Sequence, residues 1–136
     1  MIVLDASLII ALILREANVP DGDSVYNALE AEALTVPAHW AAEIASALWI
    51  NRRRDRISAN EVAAAVERLL VFGPTVDPAP LLGDIPDLLR FAAGEKLTAY
   101  DAIYVQLALR LDAVLATVDE AMRASARRHD IALLPI

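Results

Sequence analysis

The chain has 136 residues, 57% of them hydrophobic and 5% aromatic, and a formal net charge of −7 at pH 7. Because it contains no cysteine, disulfide bonds, thiolate catalysis and zinc–sulfur sites are excluded. Taken alone, the negative charge argues against a nucleic-acid partner, because phosphate contact usually needs a basic face, although arginines are clustered within residues 52–56 and 123–128.

The length favours one domain over residues 1–136, in which short strands alternate with helices. In chain order, the elements predicted for the first half are a strand over residues 1–5, a helix over about 6–15, a loop over 19–23, a helix ending near 33, a strand over 34–37 and a long helix over about 38–54. Asp23 or Ser24 is the expected cap of the second helix.

The second half of the chain continues the alternation. Ser58 and Glu61 have the spacing of a capping box, which predicts a helix that runs to about Phe72 and ends at Gly73. The later predicted elements are a strand over residues 75–77, a Pro-rich passage, a helix ending near 93–94, a helix to about 111 capped by Thr98, a strand over 113–117, a helix over 119–129 and a strand over 131–135.

Strands that alternate with helices pair in parallel through right-handed crossovers. The predicted fold class is therefore α/β, a three-layer α/β/α sandwich with a short, mostly parallel five-stranded sheet. The apolar N-terminal run has no basic region before it, contains Asp5 and stops at Arg15, so neither a signal peptide nor a membrane span is predicted. We expect a cytoplasmic protein with no membrane partner.

Asp5, Glu43, Asp101 and Asp119 are carboxylates that stand alone in or beside apolar runs. Burying an ionised carboxylate is costly unless a positive charge meets it, and no Lys or Arg lies within the runs around the first three. Asp5 and Asp119 follow predicted strands, while Glu43 and Asp101 lie near helix starts, Glu43 in the second turn. All four are expected at the carboxyl edge of the sheet, where parallel folds bind ligands.

A hard cation bound by these carboxylates together would offset the repulsion between their negative charges. Two carboxylates about 4 Å apart repel by about 4 kcal/mol at an effective dielectric constant of about 20, and a divalent ion removes that cost. A site made of oxygen ligands points to Mg²⁺ or Mn²⁺. It suits metal-assisted phosphodiester hydrolysis, because the ion lowers the pKa of a water and neutralises charge on the phosphate.

Local structural roles are the alternative for each acid. Asp5 and Asp119 could be helix N-caps, and Asp101 could complete a capping box with Thr98. Glu43 is harder to explain in this way, because it is expected beyond the cap positions of its helix.

Two hydroxyl residues lie close in sequence to the acids. Ser7 follows Asp5 by two residues and Thr117 precedes Asp119 by two. Either hydroxyl could orient a carboxylate or hold a water at the site. Hydrogen bonding within a local turn or cap is an equal alternative.

Basic and histidine side chains complete the set of candidates. Arg123 and Arg127 lie one turn apart on the helix that starts at Asp119, and they are candidates for RNA phosphate contact. Arg53, in the basic end of the long helix, could line an RNA path or a subunit contact, or could be solvated. His39 and His129 lack metal-ligand spacing with each other and are expected to be structural or solvent-facing.

Four stretches of the sequence resemble the PIN-domain ribonucleases, and most closely the VapC-type toxins of bacterial toxin–antitoxin pairs. They are MIVLDAS at the start, WAAEIASAL in the long helix, LTAYDAIYVQLAL and LATVDEAM. The last two are the most specific. Because the resemblance covers essentially the whole chain, it implies a single PIN-like nuclease domain over residues 1–136.

The resemblance implies that Asp5, Glu43, Asp101 and Asp119 form the family's acidic site, and Thr117 matches a hydroxyl residue often found before the last aspartate. It also implies dependence on Mg²⁺ or Mn²⁺, cleavage of single-stranded RNA, a homodimer, and inhibition by a cognate VapB-type antitoxin. The expected function is a metal-dependent endoribonuclease that serves as the toxin of a VapBC-type pair.

Two other classes of function stay open from the sequence. One is a different Mg²⁺-dependent phosphotransfer domain, either an aspartyl phosphatase or a receiver domain. Against it, Ser7 stands where such phosphatases carry a second aspartate, and no lysine follows the fourth or fifth strand. The other is a non-catalytic PIN-like module whose acidic pocket captures a basic segment of a partner.

Overall fold

A five-stranded, fully parallel sheet forms the centre of the protein, described by a computed structural model over residues 1–16, 18–19 and 21–135. The strands are β1 (Ile2–Leu4), β2 (Leu34–Pro37), β3 (Thr75–Asp77), β4 (Val114–Ala116) and β5 (Leu133–Leu134). Their order across the sheet is β3-β2-β1-β4-β5. Residues Ile2 and Val3 of β1 pair with β2 on one side and with β4 on the other.

The strand order reverses at β1, and this reversal determines where a ligand can bind. From β1 the chain moves outward through β2 to β3, and then returns to the other side of β1 to form β4 and β5. The crossovers leave β1 and β4 in opposite directions, which opens a crevice beyond the carboxyl ends of these two strands. Residues that follow β1 and β4 are thereby brought to one place.

Seven helices pack around the sheet, and the apolar side chains of β1 and β2 are buried. They are α1 (Ala6–Ile13), α2 (Gly22–Ala31), α3 (Trp40–Arg53), α4 (Ala59–Phe72), α5 (Ile85–Glu95), α6 (Ala99–Leu111) and α7 (Glu120–Arg128) within the ranges described, with a short 3₁₀ helix at Leu82–Asp84. α1 packs on α3, and α6 packs on α5, α7, β1 and β4. The predicted three-layer α/β/α fold is confirmed.

The core is formed by the central strand and by one face of α3, among other elements. The three residues of β1 are all buried, as expected for a parallel sheet covered on both faces. On α3, Trp40, Ile44 and Leu48 form one buried stripe, because residues four apart share a helix face. No helix in the described ranges combines the length and apolarity needed to cross a bilayer.

The predicted capping box at the start of α4 is confirmed. The Ser58 hydroxyl accepts a hydrogen bond from the Glu61 N–H, and the Glu61 carboxylate accepts one from the Ser58 N–H, each at 3.1 Å. α4 ends where predicted, at Gly73, whose positive φ of 50° suits a residue without a side chain.

The predicted cap of α2 is wrong. The helix begins at Gly22 and is capped by Asp21, whose carboxylate accepts a hydrogen bond from the Ser24 N–H at 3.2 Å. Asp23 and Ser24 cannot be N-caps because both lie inside the first turn. In the loop predicted over residues 19–23, Pro20 lies outside the described residues, and residues 22 and 23 are already helical.

The start of α3 also differs from the prediction, and the difference changes the position of one acid. Ala38 is not helical, His39 is the N-cap and Trp40 is the first helical residue. Glu43 therefore lies in the first turn of α3, not in the second. It is close enough to the carboxyl end of β2 to reach the same edge of the sheet as Asp5.

Candidate active site

Asp5 is the buried centre of the acidic site. It follows β1 directly and is 2% exposed, and its N–H donates to the Ala116 carbonyl at the end of β4 at 2.9 Å. One carboxylate oxygen, Oδ2, accepts hydrogen bonds from the Ser7 hydroxyl and, at 2.6 Å, from the Thr117 hydroxyl. Asp5 occupies the N-cap position of α1, as the capping alternative predicts, although its side-chain hydrogen bonds are those from the two hydroxyls.

Ser7 and Thr117 connect Asp5 to the segment that carries Asp119. The Thr117 Oγ1 atom is fully buried with its residue and accepts a hydrogen bond from the Asp119 N–H at 3.0 Å. Each hydroxyl has one proton, and both protons are used on Asp5. The Thr117 hydroxyl therefore orients the Asp5 carboxylate and also closes a local turn with the Asp119 N–H. Both roles that the sequence left open for Thr117, orienting a carboxylate and local hydrogen bonding, are present.

The pKa of Asp5 is shifted upward. Burial raises it from 3.8 to about 6, hydrogen bonds from Ser7 and Thr117 partly oppose this change, and the negative charge of Glu43 adds to it. Within the described ranges no Lys or Arg forms an ion pair with Asp5. The carboxylate is buried with neutral partners only.

Glu43 reaches the site from α3 and is held by an aromatic residue. The Tyr104 hydroxyl donates a hydrogen bond of 2.7 Å to Glu43 Oε1, and His39 Nε2 lies 3.2 Å from the same oxygen. Burial raises the pKa of Glu43, the Tyr104 hydrogen bond lowers it, and the charge of Asp101 raises it. Burial lowers the pKa of His39, which favours the neutral ring near neutral pH.

Asp101 lies in the first turn of α6, beside its cap. The Thr98 hydroxyl accepts a hydrogen bond from the Asp101 N–H at 3.2 Å. The Asp101 carboxylate does not complete a capping box by accepting from the Thr98 N–H. Burial raises the pKa of Asp101, and the negative charge of Asp119 raises it further.

Asp119 combines a structural role with its place at the site. It is the N-cap of α7, where its Oδ1 accepts a hydrogen bond from the Met122 N–H at 2.9 Å. The capping alternative is thus correct for Asp119. Its negative charge is nevertheless close enough to Asp101 to raise that residue's pKa.

The acidic site, Asp5, Glu43, Asp101 and Asp119, is therefore a continuous row of negative charges. Asp5 interacts with Glu43, Glu43 with Asp101, and Asp101 with Asp119. In the ranges that the structure describes, no three His, Asp or Glu side chains are already arranged around one point as metal ligands. The acidic site fits a hard cation for two reasons. Its donor atoms are carboxylate oxygens, and among the described residues no Lys or Arg forms an ion pair with them.

The three candidate arginines lie at different distances from this row. Arg123 is half-buried, and its guanidinium donates to the Thr117 carbonyl at 2.9 Å, so it borders the site. Arg127 is exposed in the last turn of α7. Arg53 is exposed at the other end of α3, roughly 15 Å along the helix axis from Glu43 at about 1.5 Å per residue. The structure does not bring Arg53 to the site.

Sequence reasoning missed His39 and understated Tyr104. His39 was expected to be structural or solvent-facing, yet it lies against Glu43 and against the rings of Tyr100 and Tyr104. Its position four residues before Glu43, across the start of α3, was the available signal. Tyr104 is fully buried, and its hydroxyl donates a hydrogen bond to Glu43.

A large cleft lies elsewhere on the protein. It has a volume of about 900 Å³, and it is lined by the end of α1, by α2 and by α4. None of the four acids lines it. The acidic site is thus separate from this cleft.

Comparisons with protein families, individual proteins and solved structures each find a match over most of this chain. The family model of the PIN domain matches residues 2–133. The chain is 30% identical over 119 residues to Ribonuclease VapC3 from Pyrobaculum aerophilum, an alignment that covers 87% of this chain and 88% of the relative. A crystal structure of PAE2754 from the same organism superposes with a TM-score of 0.69 at 24% identity over 97% of this chain and 81% of that one. At that identity the superposition supports the fold alone.

Proposed function

This chain belongs to the PIN-domain family, and we propose that it is a metal-dependent endoribonuclease that serves as the toxin of a VapBC-type pair. The observation that carries the proposal is the row of mutually repelling carboxylates at the carboxyl edge of β1, β2 and β4. The name of its relative, Ribonuclease VapC3, supports ribonuclease activity. The resemblance of the sequence to VapC-type toxins is confirmed by the same relative.

The donor set of the acidic site fits Mg²⁺ or Mn²⁺. Asp5, Asp101 and Asp119 would hold the ion, and Glu43 would join them directly or through water. Asp101 and Asp119 are half-buried, so their side chains can turn toward the fixed carboxylate of Asp5. When bound, the ion supplies positive charge that offsets the repulsion and polarises water and phosphate.

The protein's own side chains supply position and proton transfer. The hydroxyls of Ser7 and Thr117 hold the Asp5 carboxylate in one orientation. Glu43, whose carboxylate lies beside those of Asp5 and Asp101, accepts the proton of the attacking water. The Tyr104 hydroxyl fixes Glu43 Oε1. Arg123, at the rim, contacts the phosphate. Since water is the nucleophile, cleavage leaves a 5′-phosphate.

The aspartyl phosphatase alternative agrees poorly with the state of Asp5. A nucleophilic carboxylate must approach phosphorus in line with the leaving oxygen. Asp5 is 2% exposed and one of its oxygens already accepts two hydroxyl hydrogen bonds. Such a side chain is placed to act as a fixed ligand and not as an attacking group.

The proposed partners follow from the VapC-type relationship. They are an RNA substrate, a cognate VapB-type antitoxin and a second copy of the chain as a homodimer. We place the protein in the cytoplasm, where RNA targets are found. The metal identity, Mg²⁺ or Mn²⁺, is part of the same proposal.

The test is cleavage of single-stranded RNA by the Asp101→Asn variant. We expect the unchanged protein to cleave with Mg²⁺ or Mn²⁺ and to stop when EDTA is added. Asp101→Asn should lower kcat at least about a hundredfold, because it removes a charge that acts on the transition state. Asp112→Asn, an exposed change at the end of the same helix α6, is the matched control and should retain activity. Full activity of Asp101→Asn would contradict the site.

A further inference from the structure

Three aromatic rings, those of His39, Tyr100 and Tyr104, form a column beside the acidic site. The His39 ring lies edge-on to Tyr104, with centroids 5.2 Å apart and planes at 75°. It also lies tilted against Tyr100, with centroids 4.9 Å apart and planes at 48°. Tyr104 is fully buried, whereas Tyr100 is 62% exposed. The aromatic column therefore runs from the core to the surface.

Tyr100 is the exposed end of this column and lies next to a proposed metal ligand. It precedes Asp101 in the first turn of α6, and Tyr104 follows it by one turn on the same side of the helix. The neutral His39 ring packs between α3 and α6 and supports Tyr100 from the protein side. At 62% exposure the Tyr100 ring is open to a ligand that approaches the acidic site.

The charge of the site limits how RNA can bind there. The acidic site is a row of four carboxylates, and the whole chain carries a formal net charge of −7. Of the arginines proposed for RNA contact, only Arg123 borders the site. Phosphate contacts with Lys and Arg, which dominate binding in most RNA-binding proteins, are therefore few at this place. Base stacking on an aromatic ring does not depend on charge.

We propose that Tyr100, supported by His39, is the platform on which an unpaired base of the RNA stacks beside the phosphodiester that is cleaved. The proposal rests on the proposed ribonuclease function and adds the group that holds the substrate. A base inside a duplex cannot reach such a ring, because it is already stacked and paired. The platform thus gives the enzyme its preference for single-stranded RNA without a basic surface.

The kinetic test compares three variants with a single-stranded RNA oligonucleotide in Mg²⁺. Tyr100→Leu should raise KM about tenfold with kcat within about twofold, the effect expected for loss of one stacked base. Tyr100→Phe keeps the ring and should retain the original KM. Trp49→Leu removes an aromatic residue of equal exposure, 63%, on α3, and should leave both constants unchanged. An unchanged KM in Tyr100→Leu, or an equal loss in Tyr100→Phe, would overturn the platform.

A binding test separates this proposal from the proposed function. An RNA oligonucleotide containing 2-aminopurine is titrated in EDTA with the Asp5→Asn variant, which has one negative charge fewer at the site. Stacking should quench the 2-aminopurine fluorescence, and adding Tyr100→Leu to the same variant should abolish the quenching. If the unchanged protein does not cleave RNA, the nuclease function fails while this titration still decides the platform. Equal quenching with and without Tyr100 would refute it.

Discussion

Folding places the Asp5 carboxylate in surroundings that are unfavourable for its ionised form. A carboxylate with 2% exposure and only neutral hydrogen-bond partners is less stable as an anion than it is in water. Its pKa is about 6 in the folded protein and 3.8 as an ordinary side chain. Protonation is therefore favoured by folding, and ionisation at neutral pH destabilises the native state.

We expect Asp5→Asn to stabilise the metal-free protein at pH 7.5. The shift in pKa corresponds to a gain on the order of 1–3 kcal/mol in the free energy of unfolding, since the amide oxygen can still accept the Ser7 and Thr117 hydroxyls. The stability that protonation of Asp5 provides is complete below pH 3.8 and is lost as the pH rises through about 6. The gain from Asp5→Asn should therefore shrink between pH 6 and pH 4.

Urea denaturation in EDTA at pH 7.5 and at pH 4 measures this difference. The Glu67→Gln change, on the exposed face of α4, serves as the control for the loss of one negative charge from the surface. A variant that is less stable than the unchanged protein at pH 7.5 would show that the Asp5 carboxylate is well solvated or paired, contrary to its position in the structure.

At the scale of elements, a cluster around Glu95 fixes the end of α5 to α7. Its carboxylate accepts hydrogen bonds from the Ser125 hydroxyl at 2.7 Å and from the Arg128 guanidinium at 2.7 and 3.0 Å, and His129 Nε2 lies 2.8 Å away. The Phe91 and His129 rings stack at 5.6 Å. Since α7 begins at Asp119, this Glu95 cluster holds the helix that carries one acid of the site.

Glu95→Gln should lower the free energy of unfolding at pH 7 by about 1–2 kcal/mol, because charge-assisted hydrogen bonds are replaced by weaker ones. The hydrogen bonds from Ser125, Arg128 and His129 lower the pKa of Glu95 from 4.5 to about 2. Its stabilisation is thus present above pH 4.5 and is lost as the pH falls toward 2. Thermal denaturation between pH 7 and pH 2.5 should show the two proteins converging.

The matched control for this change is Glu67→Gln on the exposed face of α4, where no hydrogen bond from another residue is present among those described. It should have no effect on stability at either pH. If Glu95→Gln were equally neutral at pH 7, the Glu95 cluster would be a surface contact without a role in holding α7.

The elements were largely predictable from local patterns, whereas their arrangement was not. Capping boxes and β-branched runs are encoded within a few residues, so the start of α4 and the strand β1 were predicted correctly. The start of α3 was misplaced because Ala38 favours helices and nothing local marks His39 as the cap. The order of strands depends on long-range packing, which the sequence pattern of any one element does not contain.

The acids of the site could be predicted from the sequence, whereas the aromatic residues that contact them could not. Asp5, Glu43, Asp101 and Asp119 were detectable because an isolated charge in an apolar run is unusual in itself. Tyr104 and His39 looked like ordinary packing residues, since their roles exist only where α3 meets α6. Contacts between helices that are far apart in sequence cannot be derived from spacing.

At the scale of the whole molecule, the acidic site should make stability depend on divalent cations. An ion that binds only the folded state raises the melting temperature by mass action. We expect a few millimolar Mg²⁺ or Mn²⁺ to raise Tm by about 3 °C in the unchanged protein. Differential scanning fluorimetry, with Asp119→Ala expected to lose the shift and Asp112→Asn expected to keep it, provides the measurement. No shift with either ion would count against a shared metal site.

The position of β4 next to β1 has a consequence for how the protein is made. The central strand β1 is synthesised before Thr117 and Asp119, and Asp119 follows every other acid of the site in the sequence. A ribosome-bound chain that has not yet released β4 and α7 holds Asp5 without its Thr117 hydroxyl and without Asp119. The proposed nuclease would therefore be inactive until β4 and α7 have left the ribosome, and the messenger RNA that encodes it would not be cleaved by it up to that point.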